Sequence, residues 1–140
     1  MKGFYAQEDE ALAEIIAAFE AHTGKQVERG YVTYDNRAKE ELLGIPPELL
    51  AEFGAVSQEV AEAMAEGARA RADVSLAIAV TGIAGPGGGT ALKPVGLVHI
   101  AVASTAGPSL HERHVFDGDR ATVRQASVDA ALALALRSLA

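Results

Sequence analysis

The sequence predicts an α/β fold, a three-layer α/β/α sandwich around a mixed sheet, and three observations lead to this expectation. Segments with the apolar spacing of helices alternate with segments of strand character along the chain. The stretch Val74–Thr81 is apolar at nearly every position, which is typical of a central strand covered by helices on both faces. Two later segments, Val95–Ser104 and Leu110–Phe116, are separated by a short Gly-Pro turn, which predicts a hairpin with an edge strand.

Length and composition limit the class of protein. At 140 residues the chain is expected to form one domain, residues 1–140, whose core is large enough to be stable without disulfides or a structural metal. Because the net charge is −7 and only 5% of residues are aromatic, we expect no nucleic-acid partner. The absence of cysteine excludes disulfides, thiolate zinc sites and cysteine nucleophiles. No apolar stretch is long enough to span a bilayer, and the acidic run Glu8–Glu10 is unlike a signal peptide, so we expect a cytoplasmic protein with no membrane partner.

The first third of the chain predicts a strand, a helix and a second strand. Lys2–Ala6 has the character of a short strand, and a helix follows from Glu8 to Thr23. Its apolar residues repeat at helical spacing: Leu12, Ile15, Ile16 and Phe19. The β-branched and aromatic run Tyr31–Tyr34 predicts a strand, and Asp35 after it has the character of a helix N-cap.

Four further helices are delimited by capping residues. The helix that carries Lys39 is expected to end at Gly44, and the pair Pro46-Pro47 opens a short helix at positions where a missing N–H costs little. Ser57 is expected to cap a longer central helix. The last helix begins after Asp117–Asp119 and presents an alanine- and leucine-rich inner side.

A glycine-rich loop, Gly82–Thr90, follows the buried strand and holds five glycines in its first eight residues. Open α/β sheets place ligands at the carboxyl ends of such strands, where glycine lets backbone N–H groups approach a phosphate or an oxyanion. The loop matches neither the phosphate-loop nor the dinucleotide fingerprint, so a tight structural connection and a ligand cradle both stay open. The candidate binding residues here are Thr81, Gly82, Gly85, Gly87, Gly88 and Gly89.

Several side chains are candidates for chemistry near that end of the sheet. Lys39 lies near a helix start, where the dipole disfavours a cation, so a desolvated Lys39 would serve as a base, whereas an ordinary lysine would be solvated. Tyr34 either points its hydroxyl into the same crevice or is a half-buried strand aromatic. Arg120 and Arg124, at the start of the last helix, are either an anion clamp or an exposed i, i+4 pair.

The four histidines do not predict a metal site. His111 and His114 are three residues apart on a strand, which places their rings on opposite faces. His22 and His99 have no acidic or imidazole neighbour at ligand spacing, so each is expected to be a surface or packed histidine. We therefore expect no metal.

Several ordered motifs resemble the CinA C-terminal domain family, which includes the nicotinamide mononucleotide deamidases. They are Arg29–Lys39, Leu42–Gly44, Gly54–Ser57, Thr81–Gly89, Lys93–Gly96 and Gly118–Arg120. The resemblance covers about residues 28–138, and residues 1–27 are atypical. It implies a mixed sheet of about five strands, hydrolysis of nicotinamide mononucleotide to nicotinic acid mononucleotide and ammonia, no cofactor or metal, and a homo-oligomer.

The resemblance assigns catalytic roles to Lys39 and Tyr34, but it assigns no nucleophile. The family's serine segment corresponds to Tyr5–Leu12, which holds no Ser, Thr or Cys. An enzyme of this kind would be atypical or inactive, because a lysine base without a hydroxyl to activate has no covalent route. Lys39 would have to activate water, or another hydroxyl would have to replace the serine; the candidates are Thr33, Ser57 and Thr81. The alternative is a non-catalytic nucleotide-binding or partner-binding domain that associates through its last helix or edge strand.

Overall fold

The computed structural model describes residues 10–33 and 35–139 and contains five helices and three strands in that part of the chain. In chain order they are α1 Glu10–Thr23, α2 Asn36–Leu43, α3 Pro47–Phe53, α4 Gln58–Ala72, β1 Leu76–Gly82, β2 Leu97–Ser104, β3 Gly107–Val115 and α5 Arg120–Leu139. The predicted strand Lys2–Ala6 lies outside the described residues. No helix in the described ranges has the length and apolar character needed to cross a membrane.

The strands form one sheet in the order β1-β2-β3, and both neighbouring pairs are antiparallel. The β2–β3 hairpin with β3 at an edge confirms that part of the sequence prediction. The prediction that Val74–Thr81 is central is wrong for the described sheet, because β1 occupies the other edge. The central strand is β2, where every residue before Ser104 is buried.

The expected mixed sheet of about five strands is not confirmed, since the described ranges contain three strands and no parallel pair. Residues 31–33, predicted as a strand, have no regular secondary structure. Tyr31 instead packs against the apolar cluster beneath α4. The β-branched and aromatic character of this run thus reflects half-burial, a property that strands share with packed irregular segments.

Helices cover both faces of the sheet, so the three-layer arrangement predicted from the sequence is present. Alternation along β2 sends Val98, Ile100 and Val102 into one cluster with residues of α1 and α5. The intervening Ala101 and Ala103 join the cluster formed with α4. The small alanine side chains on this face let α4 lie close to the strands.

The helix termini follow the capping residues that the sequence indicates. The Asp35 side chain accepts a hydrogen bond from the Ala38 N–H, and Ser57 accepts one from Val60. Gly44 ends α2 in the left-handed conformation with φ of 69°. Asp35 and Gly44 thus fix the two ends of α2, the helix that carries Lys39.

Candidate functional site

Lys39 is a buried cation on α2, with 5% of its surface exposed. Its Nζ donates a hydrogen bond of 2.6 Å to the backbone carbonyl of Thr33. Desolvation by burial lowers the pKa of the Lys39 ammonium, and the nearby Asp35 carboxylate opposes this shift. The structure therefore excludes the solvated-lysine alternative and shows a buried lysine whose neutral form is favoured by desolvation.

Two groups near Lys39 bear on its charge: the Thr33 carbonyl, which accepts its hydrogen bond, and the Asp35 carboxylate, which already accepts a hydrogen bond from Ala38. Asp35 Oδ1 lies 2.7 Å from the Ala38 N–H, which holds the carboxylate at the N-terminus of α2. Within the described residues no side-chain hydroxyl lies within hydrogen-bond distance of Lys39 Nζ. Tyr34, the second predicted catalytic residue, lies outside the described residues, and its role stays a prediction.

Packing requires glycine at several positions of the Gly-rich loop. A Cβ at Gly82 would lie 2.8 Å from Val98 Cγ2 and 2.9 Å from the Leu97 carbonyl. Gly85 has φ of +82°, and a Cβ there would lie 2.6 Å from Val95 Cγ1. A Cβ at Gly89 would meet the Val95 backbone nitrogen at 2.7 Å. These three glycines support the structural interpretation of the loop.

Gly87 and Gly88 have different surroundings. A Cβ on Gly87 would have no atom within 4 Å, and its backbone does not adopt the left-handed conformation. Gly88 has φ of +91°, which favours glycine, but a Cβ there would touch only the Ile83 side chain at 3.6 Å. The tip of the loop is therefore open, and nothing in the fold requires glycine at position 87.

Two cationic side chains tie the Gly-rich loop, and the residues just after it, to neighbouring helices. Arg120 Nη1, at the start of α5, donates to the Gly85 carbonyl at 3.3 Å. Lys93 Nζ donates to the Phe53 carbonyl at 2.5 Å. Phe53 is the last residue of α3, and the last carbonyls of a helix have no partner within the helix. Lys93 is a residue that the sequence interpretation missed, although it stands in one of the motifs that carry the resemblance.

Two of the three hydroxyls proposed as replacements for a serine nucleophile, those of Ser57 and Thr81, are engaged elsewhere. Ser57 Oγ donates to the Gly54 carbonyl at 2.8 Å and caps α4, as predicted. Thr81 Oγ1 donates to the Ala55 carbonyl at 2.9 Å, which ties the end of β1 to the α3–α4 connection. Thr33 meets Lys39 through its backbone carbonyl. No hydroxyl of these three is paired with the Lys39 amine.

Some of the predicted site residues lie together at one end of the sheet, whereas Lys39 has no hydrogen bond to them in the described part of the chain. Arg120 is hydrogen bonded to the Gly-rich loop, and Thr81 enters the same end of the sheet from β1. No hydrogen bond or ion pair among residues 10–33 and 35–139 links Lys39 to that loop. The candidate site thus has two separate parts: a buried lysine on α2 and a loop with an open tip beyond β1.

The histidines behave as the strand geometry predicts. His111 contacts His99 on the α4 face, whereas His114 contacts Glu112 and stacks on Phe116 on the other face. Within the described parts of the chain, no three His, Cys, Asp or Glu residues are grouped so that they could hold a metal ion.

The fold and these residues define an α/β domain with a buried lysine and a Gly-rich loop after an apolar strand. The chain belongs to the CinA C-terminal domain family, whose pattern matches residues 12–139. A CinA-like protein of Geobacter sulfurreducens is 55% identical over 103 residues, which are 74% of this chain and 25% of the relative. A CinA-like protein of Anaeromyxobacter dehalogenans is 48% identical over 129 residues, 90% of this chain and 31% of the relative. The chain thus spans between a quarter and a third of the length of these relatives.

Solved structures support the same family. The competence/damage inducible protein CihA of Agrobacterium tumefaciens is 39% identical, with a TM-score of 0.78 and 99% of each chain covered. A competence-damaged protein (CinA) superfamily member of Escherichia coli is 35% identical, with a TM-score of 0.81 over 91% of this chain and 75% of that chain.

Proposed function

We propose that this chain is an atypical amidohydrolase domain that acts on the carboxamide of nicotinamide mononucleotide, with Lys39 as its base. The observation that carries the proposal is the burial of Lys39, which favours the neutral amine. A buried lysine with a depressed pKa is a functional-site candidate because a fold gains no stability from desolvating a charge. Membership of the CinA family supports the choice of substrate through the resemblance stated above.

The proposed chemistry uses water in place of a serine. The Lys39 amine takes a proton from a water molecule as the water oxygen bonds to the carboxamide carbon. The carbon–nitrogen bond then breaks, and the proton passes to the leaving nitrogen, which departs as ammonia. The open tip of the Gly-rich loop supplies backbone N–H groups for the nucleotide, and Arg120 holds that loop in place. No metal or cofactor enters this step.

The test is ammonia release from nicotinamide mononucleotide by the purified protein, with calorimetric titration of the same nucleotide run beside it. Turnover that depends on Lys39 supports the amidase. Binding with no turnover refutes the amidase and favours the second candidate function. If the protein shows no binding and no turnover, both candidate functions are overturned.

The second candidate is a non-catalytic nucleotide-binding domain. Two observations favour it: no Ser, Thr or Cys stands in Tyr5–Leu12, and the Lys39 amine donates to a backbone carbonyl instead of a hydroxyl. Association with a partner through α5 or β3 is a third possibility, and we expect the chain to form a homo-oligomer. Sedimentation at several protein concentrations tests that expectation.

Replacement of Gly87 by alanine tests the loop as a ligand cradle. Because a Cβ at this position meets no atom within 4 Å, we expect Gly87→Ala to leave the free energy of unfolding within about 0.5 kcal/mol of wild type. We expect the affinity for nicotinamide mononucleotide to fall at least tenfold, since the added methyl group occupies the space where the backbone would approach the ligand. Calorimetric titration measures the affinity.

Gly107→Ala is the matched control, because a Cβ at that position on β3 also meets nothing. Gly107 lies away from the loop, so this variant should bind like wild type. Equal affinity in both variants and wild type would show that the loop tip takes no part in binding.

A further inference from the structure

A histidine pair, with His99 buried and His111 partly buried, connects β2 to β3 beneath α4, and the proposed reaction does not use it. His99 on β2 is 7% exposed, and its Nδ1 lies 2.9 Å from Nε2 of His111 on β3. The two rings stack with centroids 5.1 Å apart and planes 25° from parallel. Because Ala101 is the strand partner of His111, the two histidines sit diagonally across the ladder. This hydrogen bond adds a side-chain link between the central strand and its edge neighbour.

The groups that face His99 are mostly cationic. On β3, Arg113 is the direct strand partner of His99, and His111 is its hydrogen-bond partner. Lys93, just after the Gly-rich loop, adds a second positive charge, and Glu59 in the first turn of α4 is the acid that opposes them. On β1 the partner is Thr81, which carries no charge. Desolvation, followed by the charges of His111 and Arg113, lowers the pKa of His99.

The hydrogen bond between the two histidines tolerates at most one added proton. A hydrogen bond between two imidazole nitrogens needs one N–H and one lone pair, which a neutral or a singly protonated pair provides. A second proton leaves two N–H groups facing each other at 2.9 Å and adds a charge beside Arg113 and Lys93. The rings must then separate. His111 lies on an edge strand and is only partly buried, so it is the partner that is free to move.

We propose that His99 and His111 form a pH-sensitive latch that fastens β3 to β2 under α4 and opens on acidification. Opening of the latch also affects the candidate site through Thr81, the strand partner of His99 on β1. The Thr81 hydroxyl donates to the Ala55 carbonyl, which lies just before α4. Lys93, whose charge acts on His99, is tied to the Gly-rich loop because its backbone N–H donates to Thr90 Oγ1 at 3.0 Å. Acid therefore loosens the edge strand first and the loop support with it.

The sign of the pH dependence follows from linkage. His99 binds protons less tightly in the folded chain than in the unfolded chain, where histidine titrates near pH 6.5. Between these two pKa values the unfolded state binds more protons, so stability falls as the pH decreases. Above the unfolded value the latch is fully closed. The window of interest therefore lies below about pH 6.5.

The test compares the unfolding of wild type, His99→Phe and His111→Gln by denaturant at pH 7.5 and pH 5.0. Phenylalanine keeps an aromatic ring in the buried site, and glutamine keeps an acceptor opposite His99. We expect the wild-type folding equilibrium constant to fall severalfold more between these pH values than that of either variant, because only the wild-type pair resists a second proton. Exposed His22 provides the control: His22→Gln should retain the wild-type pH dependence.

Amide hydrogen exchange separates a latch from general acid destabilisation. At pH 5.0 we expect the β3 amides around His111 to exchange through a local opening, with a free energy lower than that of global unfolding. His99→Phe should remove the extra opening. The proposal is overturned if all three proteins lose stability in parallel on acidification, or if the wild-type β3 amides exchange only through global unfolding. His111→Gln keeps the test decisive if His99→Phe does not fold.

Discussion

Replacement of Lys39 by alanine is expected to lower ammonia release from nicotinamide mononucleotide by about 10²–10⁴-fold, the usual contribution of a general base. The Lys39 amine is buried, and no other amine is placed beside the Thr33 carbonyl among the described residues. Lys39→Met should have the same effect on turnover, because methionine keeps the volume of the side chain and removes only the amine. Lys25→Ala, at an exposed lysine just beyond α1, should retain the wild-type rate.

The pH profile supplies a second measurement on the same residue. The reaction needs the neutral amine, so the wild-type rate should rise as the pH increases through the lowered pKa of Lys39 and then level off. Stability should rise with pH between that lowered pKa and the ordinary lysine value of 10.5, because in this window the unfolded lysine holds its proton and the folded one does not. Lys39→Met should lack this rise in the free energy of unfolding. A wild-type rate in either variant would remove Lys39 from the mechanism.

The elements that depend on local signals were predictable from the sequence. Asp35 and Ser57 cap helices because their side chains are short acceptors, and Gly44 ends α2 because glycine adopts positive φ without strain. The two faces of β3 were likewise predictable, since strand alternation alone separates His111 from His114. Such features require no knowledge of distant residues.

The features that depend on distant contacts were not predictable. Val74–Thr81 has the composition of a central strand, yet strand order is a property of pairing, and among the described strands β2 lies in the centre. His99 had no partner at a short sequence spacing, because His111 reaches it across the hairpin. The burial of Lys39 depends on where α2 packs, which the eight residues of that helix do not specify. Lys93 shows the same limit, since its partner Phe53 lies forty residues earlier in the chain.

The contact between α2 and α4 gives the prediction with the largest expected effect on stability. Gly67 lies on α4 where α2 ends, and a Cβ there would overlap the Leu43 carbonyl oxygen and lie 3.3 Å from Leu43 Cβ. Alanine favours a helix over glycine by about 1 kcal/mol, so an open position would be stabilised. Here the obstacle is backbone, which has no rotamer to change, so α2 must move away from α4.

We therefore expect Gly67→Ala to lower the free energy of unfolding by about 1–3 kcal/mol, measured by denaturant titration. Gly107→Ala, with no atom near its added Cβ, should stay within about 0.5 kcal/mol of wild type. Because Lys39 lies one helical turn before Leu43, displacement of α2 should also shift the Lys39 amine from the Thr33 carbonyl and reduce any turnover. A Gly67→Ala protein as stable as wild type would show that α2 has room to yield. The close packing of these two helices would then play no part in holding Lys39 in its buried position.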